Sequence, residues 1–397
     1  MIQLINKILG LKEFRVNRVE VLKDEIDIYM EIKAKKGRCP RCGSCSKSVH
    51  QYHKRKVRDL DILGKKCYLI FEIRRFDCDL CGKPFTERLH CIDFDSEYTK
   101  RFEEWVVKLS RNSALEHAGE LLDLTYERVE GIFFRAISRE VEANKRRIFK
   151  KIGIDEISMK KGRGQYIVII SDLSRGCVMG VLEDRSKVKV KEWFQGLSTK
   201  QRRKIRWVAI DMWDGYFYAV REEICHAKIV IDRFHVQKAF GEQIDKARRS
   251  IQSKLSEEDR KELKGSRWII LKPKESLTEE EKATLESICQ KYPELKQLCD
   301  LKEEFRDIYE NKTLSPMSAR QAFDKWQEKV RALGIAVLDN FLNTLNNWYR
   351  WILNYFGIRL TSGGVEGINT KIKLLKRTGF GFRRFDKFRL RIFGACG

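Results

Sequence analysis

Proline is scarce in this chain. Five residues in 397 (Pro40, Pro84, Pro273, Pro293 and Pro316) leave no proline-rich linker, and no low-complexity tract or internal repeat takes its place. Long apolar runs are missing too. Nothing approaches the roughly 18 consecutive apolar residues of a spanning helix, and Tyr166 to Ile170, among the longest uncharged stretches, reads as a strand. The opening segment, Met1 to Lys12, is rich in isoleucine and leucine, but Lys7 interrupts it and no small-residue cleavage site follows. It is expected to belong to the fold, and the protein to stay in the cytoplasm. Cysteine, at 12 residues, is too sparse for a disulfide-built secreted scaffold, and four of the twelve fall in two C-x-x-C pairs, which fits a metal site in a reducing compartment. Acidic residues are outnumbered, 57 against 81 Lys and Arg, for a net charge of +24. Such a surface draws a polyanion, and without a membrane segment nucleic acid is the expected partner. Apolar residues at 42% and aromatics at 11% are enough to bury real cores, which excludes a disordered scaffold.

Boundaries must come from changes of pattern. Residues 1–92 alternate apolar and polar side chains in short pieces, as in Glu20 to Lys33 and Cys67 to Arg74, and predict a small β-rich unit. Over 93–147 the period becomes helical, with Phe102, Trp105, Val106 and Leu109, then Leu115, Ala118, Leu121 and Leu122, then Val129, Ile132 and Phe133 marking three short helices. Over 148–237, three strands (Ile152 to Ile157, Gln165 to Asp172, Cys177 to Leu182) precede an alternation: helix Val188 to Leu197, strand Trp207 to Asp211, helix Phe217 to Cys225, strand Lys228 to Asp232. That order predicts a layered α/β domain. Residues 238–355 read as charged helices, and 356–397 as a helix start followed by a basic strip.

Cys39-Pro-Arg-Cys42 and Cys78-Asp-Leu-Cys81 are the most specific local signal. Each pair can sit on a knuckle turn, with Gly43 and Gly82 supplying permissive backbone just behind it, and four sulfurs complete a closed, structural zinc site. The 35 residues between the pairs exceed the commonest zinc spacing, so the intervening strands must join the halves. A redox dithiol is the alternative, and Cys45 and Cys91 lie close enough to compete as ligands. Around the pairs, Lys33 to Arg75 holds 14 Lys and Arg against Asp59, Asp61 and Glu72, which favours nucleic-acid contact. Ala118, Leu122, Leu124, Thr125 and Val129 have the spacing of a helix-turn-helix, with Thr125 as the cap and Tyr126, Glu127, Arg128 and Glu130 outward; an ordinary helical hairpin has the same pattern.

Three acidic residues suggest chemistry. Asp155 follows Ile152-Gly153-Ile154 and Asp211 follows Trp207-Val208-Ala209-Ile210, so both end apolar strands where a charge is costly unless paired or liganded. Glu366 lies in Thr361-Ser362-Gly363-Gly364-Val365-Glu366-Gly367-Ile368-Asn369, a helix entrance. On that helix Glu366, Asn369, Lys373 and Arg377 share one stripe, while Ile368, Ile372 and Leu375 take the opposite, burying side. Three carboxylates suit two Mg²⁺ (or Mn²⁺) ions acting on a phosphodiester. Glu156, Asp172, Asp214 and Asp232 are competing candidates.

Taken in order, these pieces resemble the ISL-three family of bacterial insertion-sequence transposases. The likeness rests on CPRCG, His50 and Tyr52 before Arg58-Asp59, Arg74-Arg75-Phe76 before CDLCGKPFTE, the reader helices, Asp155-Glu156, Asp211-Met212-Trp213, Asp232-Arg233-Phe234-His235, and SGGVEGINTKIKLLKRTGFGFRRF. The resemblance implies a multidomain α/β protein: a zinc-binding β-rich domain, a helix-turn-helix, and a ribonuclease-H-like core split by a helical insertion. It maps a DDE triad onto Asp155, Asp211 and Glu366, with His235 beside it, and the insertion accounts for Glu366 lying 155 residues beyond Asp211. It implies hydrolysis at the element's 3′ ends and then attack of the freed 3′-hydroxyl on target DNA. Double-stranded DNA is the implied partner, bound by a dimer or larger assembly, with the protein associated with the nucleoid when bound. Expected DNA contacts are Arg58, Arg74 and Arg75 beside the zinc pairs, Tyr126 and Arg128 on the reader, and Lys371, Lys373, Lys376, Arg377, Arg383 and Arg384 in the C-terminal strip. A zinc and helix-turn-helix regulator without catalysis, and a nuclease without strand transfer, are the competing readings.

Overall fold

The computed structural model describes residues 2–159, 164–360, 363–379, 382 and 384–397, the side chains of 363–366 excepted. The chain divides into two compact units, Met1–Glu140 and Val141–Gly397.

The first unit begins with a short helix, α1 (Ile2–Leu9), in a segment that the β-rich reading of residues 1–92 did not single out as helical. A hairpin follows, β1 (Phe14–Val21) and β2 (Glu25–Ile32), then the two-residue strands β3 (Gly37–Arg38) and β4 (Cys45–Ser46), the long pair β5 (Val49–Ile62) and β6 (Lys65–Asp77), and β7 (Pro84–Thr86). The main sheet runs β1-β2-β6-β5, with β7 on the far end of β6. Leu63 and Gly64, both at positive φ (52° and 77°), make the two-residue turn between β5 and β6, whose handedness matches strand twist. Phe14, Val16, Ile26, Ile28, Val57, Leu69, Phe71 and Ile73 form the core under this sheet.

Three helices complete the unit: α2 (Lys100–Ser110), α3 (Leu115–Leu122) and α4 (Tyr126–Asn144). Thr99 caps α2, its hydroxyl oxygen accepting from the Phe102 amide and its O–H donating to buried Asp59 at 2.7 Å. Arg101 closes on the same carboxylate and also donates to the Leu9 carbonyl, so one buried ion pair ties sheet, α1 and α2 together. Deleting one partner of such a pair would strand a buried charge.

In the second unit, β8 (Lys151–Ser158), β9 (Tyr166–Asp172), β10 (Cys177–Leu182), β11 (Trp207–Ile210) and β12 (Lys228–Ile231) form one sheet in the order β10-β9-β8-β11-β12. The first three strands are antiparallel, and β8, β11 and β12 are parallel. Period-2 alternation assigns the faces. Ile152, Ile154, Val168 and Ile170 pack against α5 (Lys187–Gln195) and α7 (Asp214–Glu223); Ile157, Ile167 and Ile169 pack on the other side against α15 (Gly363–Thr378) and α16 (Phe385–Cys396). A capped turn of helix, α6 (Thr199–Lys204), precedes β11. Between β12 and α15 lie α8 (Arg233–Ser253), α9 (Glu257–Glu262), α10 (Arg267–Leu271), α11 (Glu279–Lys291), α12 (Pro293–Glu310), α13 (Pro316–Ala332) and α14 (Ala336–Ile358). Their centre is aromatic: Phe240, Phe305, Trp326 and Phe341 meet at centroid distances of 4.7 to 6.1 Å and belong to the same core as the sheet.

Candidate active site and metal centres

The cysteine site is built by two tight turns. Gly43 and Gly82, at φ of 78° and 63°, donate their amides back to the Cys39 and Cys78 carbonyls and fold each C-x-x-C onto itself. All four sulfurs, of Cys39, Cys42, Cys78 and Cys81, lie within 4.8 Å of one another, with Cys39 to Cys81 at 3.8 Å and Cys42 to Cys78 at 3.4 Å. Tetrahedral zinc with bonds of about 2.3 Å sets sulfurs roughly 3.8 Å apart, so the cluster fits that ion. The amide of Cys42 holds the Cys39 thiol below its ordinary value, and the Ser44 hydroxyl, then the Cys81 amide, bring Cys78 down to about 6. Both sulfurs are thereby poised as thiolate ligands. Phe76 and Phe85 stack beneath them at 5.6 Å, and Gly37 lies so close that a Cβ there would meet the Phe76 ring at 2.5 Å. Ser44, absent from the sequence reading, touches the Cys42 and Cys78 sulfurs at 3.1 Å each.

The second cluster follows from strand register. Gly153 on β8 stands opposite Ala209 on β11, so Asp155 and Asp211, each two residues further along parallel neighbours, emerge at the same end of the sheet. Asp232 ends β12 there, and His235 on the first turn of α8 turns back over the sheet edge. His235 Nε2 lies 2.9 Å from Asp211 Oδ1, 3.6 Å from Asp155 Oδ1 and 4.0 Å from Asp232 Oδ2. Asp155, Asp211 and His235 offer ligand atoms within 4.8 Å of one another. Burial, with Asp155 and Asp232 adding negative charge, pushes Asp211 up to about 6 despite its hydrogen bond to His235. Burial alone would lower His235, but the Asp211 hydrogen bond and the surrounding carboxylates outweigh it and hold the imidazole above its ordinary value. Both partners are raised because three carboxylates share one imidazole.

Asn369 on α15 donates from Nδ2 to Asp155 Oδ2 at 2.5 Å, and the Glu156 amide donates to Asp155 Oδ1 at 2.7 Å. The buried Asn369 Oδ1 has no hydrogen-bond partner among the described residues. Glu366 sits one helical turn before Asn369, and its side chain lies outside the described ones. Ile368, Ile372 and Leu375 bury on the opposite stripe of α15, as the 3.6-residue period requires. Among the competing carboxylates, Asp172 belongs to the other end of the sheet, opposite Ile152, and pairs with Arg175 at 2.9 Å.

A family model of ISL3 DDE transposases, described as a transposase, matches residues 152–392, and one described as the zinc-finger of transposases IS204/IS1001/IS1096/IS1165 matches residues 35–81. The chain belongs to the ISL3 transposase family. It is 29% identical to the transposase for insertion sequence element IS1001 of Bordetella parapertussis, over 98% of this chain and 97% of that protein. It is 24% identical to the transposase for IS1557 of Mycobacterium tuberculosis, over 96% of this chain and 92% of that protein. A zinc ribbon and a mixed α/β unit with a helical C-terminal part are thus family features. No helix among the described residues of this transposase is long and apolar enough to cross a membrane.

Several of the expected DNA contacts also have partners within the chain. Arg58 is 5% exposed, lies over the Phe102 ring, and donates to Asp61 and the Asp123 carbonyl. Arg74 forks onto buried Glu87 at 2.9 and 2.7 Å and reaches the Ala34 carbonyl. Lys371 donates to the Ala395 carbonyl at 2.6 Å, fastening α15 to α16. Lys376 donates to the Ser158 carbonyl, and Arg384 pairs with Asp386 at 2.6 Å on the surface. Arg75 is half-buried on β6, while Lys373 and Arg377 are exposed; Arg383 lies outside the described residues.

In α3 and α4, Ala118, Leu122, Val129 and Ile132 are buried, as the helical spacing requires. The close approach falls on Gly119, however, where a Cβ would sit 2.7 Å from the Leu124 carbonyl oxygen. Asp123 turns the chain at φ 50°, a left-handed position asparagine and aspartate tolerate. Tyr126 is 39% exposed and bonds Glu130, and Arg128 is held by the Tyr98 hydroxyl at 3.0 Å and Glu97 at 3.2 Å.

Proposed function

We propose that this transposase cuts the 3′ ends of its element and joins them to target DNA by a DDE mechanism on a ribonuclease-H-like core, with Asp155, Asp211 and Glu366 as ligands for Mg²⁺ or Mn²⁺. The observation that carries the reading is the convergence of Asp155, Asp211 and His235 at one end of parallel neighbours β8 and β11. The strand order, three antiparallel strands followed by two parallel ones, supports the core assignment. Hard carboxylate oxygens, with an orphaned Asn369 oxygen nearby, suit Mg²⁺ or Mn²⁺ better than zinc. When bound, a pair of such ions supplies Lewis-acid chemistry, acidifying the attacking hydroxyl and neutralising the leaving oxygen. The chain's own part is preorganisation. Asn369 and the Glu156 amide fix the Asp155 carboxylate, and His235 orients Asp211, so neither must be reoriented when substrate arrives.

The clustering of the four sulfurs supports reading Cys39, Cys42, Cys78 and Cys81 as ligands of a structural Zn²⁺. Residues 1–92 then act as the zinc-binding domain, 93–147 as the helix-turn-helix with Tyr126 and Arg128 outward, 148–237 and 356–397 as the two parts of the core, and 238–355 as its insertion. Arg75, Lys373, Arg377, Arg383 and Arg384 contribute DNA contacts, and a dimer or larger assembly holds two ends. The test is incubation of the full chain with duplex DNA from the flanks of its own gene. Mg²⁺-dependent cuts at the element boundary and joined products are expected from the wild type. Binding without either is expected from Asp155→Asn, Asp211→Asn and Glu366→Gln. Wild-type cutting by any of the three variants would overturn the assignment, and cuts without joined products would leave a nuclease.

A further inference from the structure

Side chains alternate along β8, so Glu156 leaves the sheet on the face opposite Asp155, toward α5 and α7. There it meets Arg185, whose Nη1 is 3.2 and 3.4 Å from the two Glu156 oxygens. The Arg185 guanidinium lies over two rings at once, 4.4 Å from the Tyr166 centroid and 4.5 Å from that of Trp213. The indole has room because residue 215 is glycine, where a Cβ would stand 2.7 Å from Trp213 Nε1. Rings hold the planar cation by its face and leave its N–H edge free. Arg185 keeps 37% of its side chain exposed, Trp213 is 41% exposed, and Nε and Nη2 of Arg185 bond to no described residue. The cluster is anchored at the same ends of both strands, since Glu156 follows Asp155 on β8 and the Trp213 amide donates to the Asp211 carbonyl at 2.8 Å.

A stacked arginine fork with free donors beside a phosphodiester-cutting site is built for a phosphate. We propose that Arg185 grips a phosphate of the DNA strand adjoining the bond that is cut, with Tyr166 and Trp213 as its stacking support and Glu156 as the anion that the phosphate displaces. The inference rests on the catalytic reading above.

The test compares full-length wild type, Arg185→Gln, Arg185→Lys and Glu156→Gln. Binding of a labelled duplex from the flank of the gene is measured across a salt series without Mg²⁺, and cleavage of the same duplex with Mg²⁺. Arg185→Gln should lower the slope of log affinity against log salt by about one and slow cleavage. Arg185→Lys should restore the slope but not the rate, because lysine lacks the fork. Glu156→Gln should tighten binding several-fold by removing the competing anion. Unchanged slope and affinity in Arg185→Gln, or weaker binding by Glu156→Gln, would overturn the proposal and leave a structural ion pair. Asp155→Asn separates the two claims. It should bind with the wild-type slope while losing cleavage, so cutting by that variant would sink the catalytic reading without touching the binding result for Arg185.

Discussion

Asp211 is expected to weaken the metal-free fold that holds it, and removing its charge should show this. Burial beside Asp155 and Asp232 raises this carboxyl from 3.8 to about 6. Keeping it ionised at pH 8 therefore costs about 3 kcal/mol relative to an ordinary aspartate, from ~1.4 kcal/mol per pH unit. Asp211→Asn keeps an oxygen to accept from His235 Nε2 and removes the buried charge, so the expected gain is no larger than that penalty, about 1–3 kcal/mol. The sign over pH is fixed. Below about pH 4 both folded and unfolded states hold the proton and the residue is neutral in effect. Between about 4 and 6 the unfolded chain ionises first and stability falls, and above about 6 the penalty is complete and constant. Thermal melts without added divalent cation should therefore place Asp211→Asn several degrees above wild type at pH 8, with the gap closing toward pH 4. Adding Mg²⁺ should reverse the order, since a ligand at a hundredfold excess over its dissociation constant contributes about 2.7 kcal/mol to the wild type and nothing to a chain that has lost its ligand. A variant that melts below wild type at pH 8 without metal, or that gains as much from Mg²⁺, would refute the argument.

Three further outcomes follow from other parts of the molecule. Cys39→Ser with Cys42→Ser should drop zinc content from about one ion per chain to near zero and expose Met1–Glu140 to proteolysis, as structural zinc carries folding energy; unchanged zinc by metal analysis would count against these ligands. Asn369→Leu should free the Asp155 carboxylate and slow cleavage about 10- to 100-fold with DNA binding kept, the usual cost of losing an outer-shell partner; a wild-type rate would show that α15 does not position Asp155. Gly119→Ala puts a methyl 2.7 Å from the Leu124 carbonyl oxygen and should cost about 1–3 kcal/mol in a urea melt, with loss of end-specific binding; an unshifted midpoint would mean the turn between α3 and α4 gives way freely.

Where the sequence was legible, the reason was periodicity backed by chemistry. Strands 152–157, 165–172 and 177–182 were readable because apolar β-branched runs ended in turns, and they correspond to β8, β9 and β10 within two residues. Asp155 and Asp211 stood out because a charge at the end of such a run needs a partner, and register then brings both to one end of the sheet. The Asn369 stripe was visible from its 3.6-residue spacing, yet nothing in spacing says that its amide meets Asp155 across more than 200 residues of chain. The N-terminal helix was hidden for a related reason: eight residues form too short a window to distinguish helical from irregular periodicity.

Charge density is an incomplete guide to which side chains are free, and the reason is physical. A run of Lys and Arg reports how much positive charge a segment carries but not which members already have a partner. Arg58, Arg74 and Lys371 are neighbours in sequence of residues that are exposed, and all three look alike there. In the fold each is spent on a specific acceptor: Arg58 on Asp61 and a carbonyl, Arg74 on buried Glu87, Lys371 on the end of α16. Glu87 lies 13 residues from Arg74 and joins it only because β7 folds back beside β6. Arg185 is the converse case. It stands at the head of the alternating basic stretch Arg185, Lys187, Lys189 and Lys191, and is set apart only once Tyr166 and Trp213 come together against it. Exposed donors that no internal acceptor satisfies, rather than local charge density, therefore mark the cations that remain available to a phosphate.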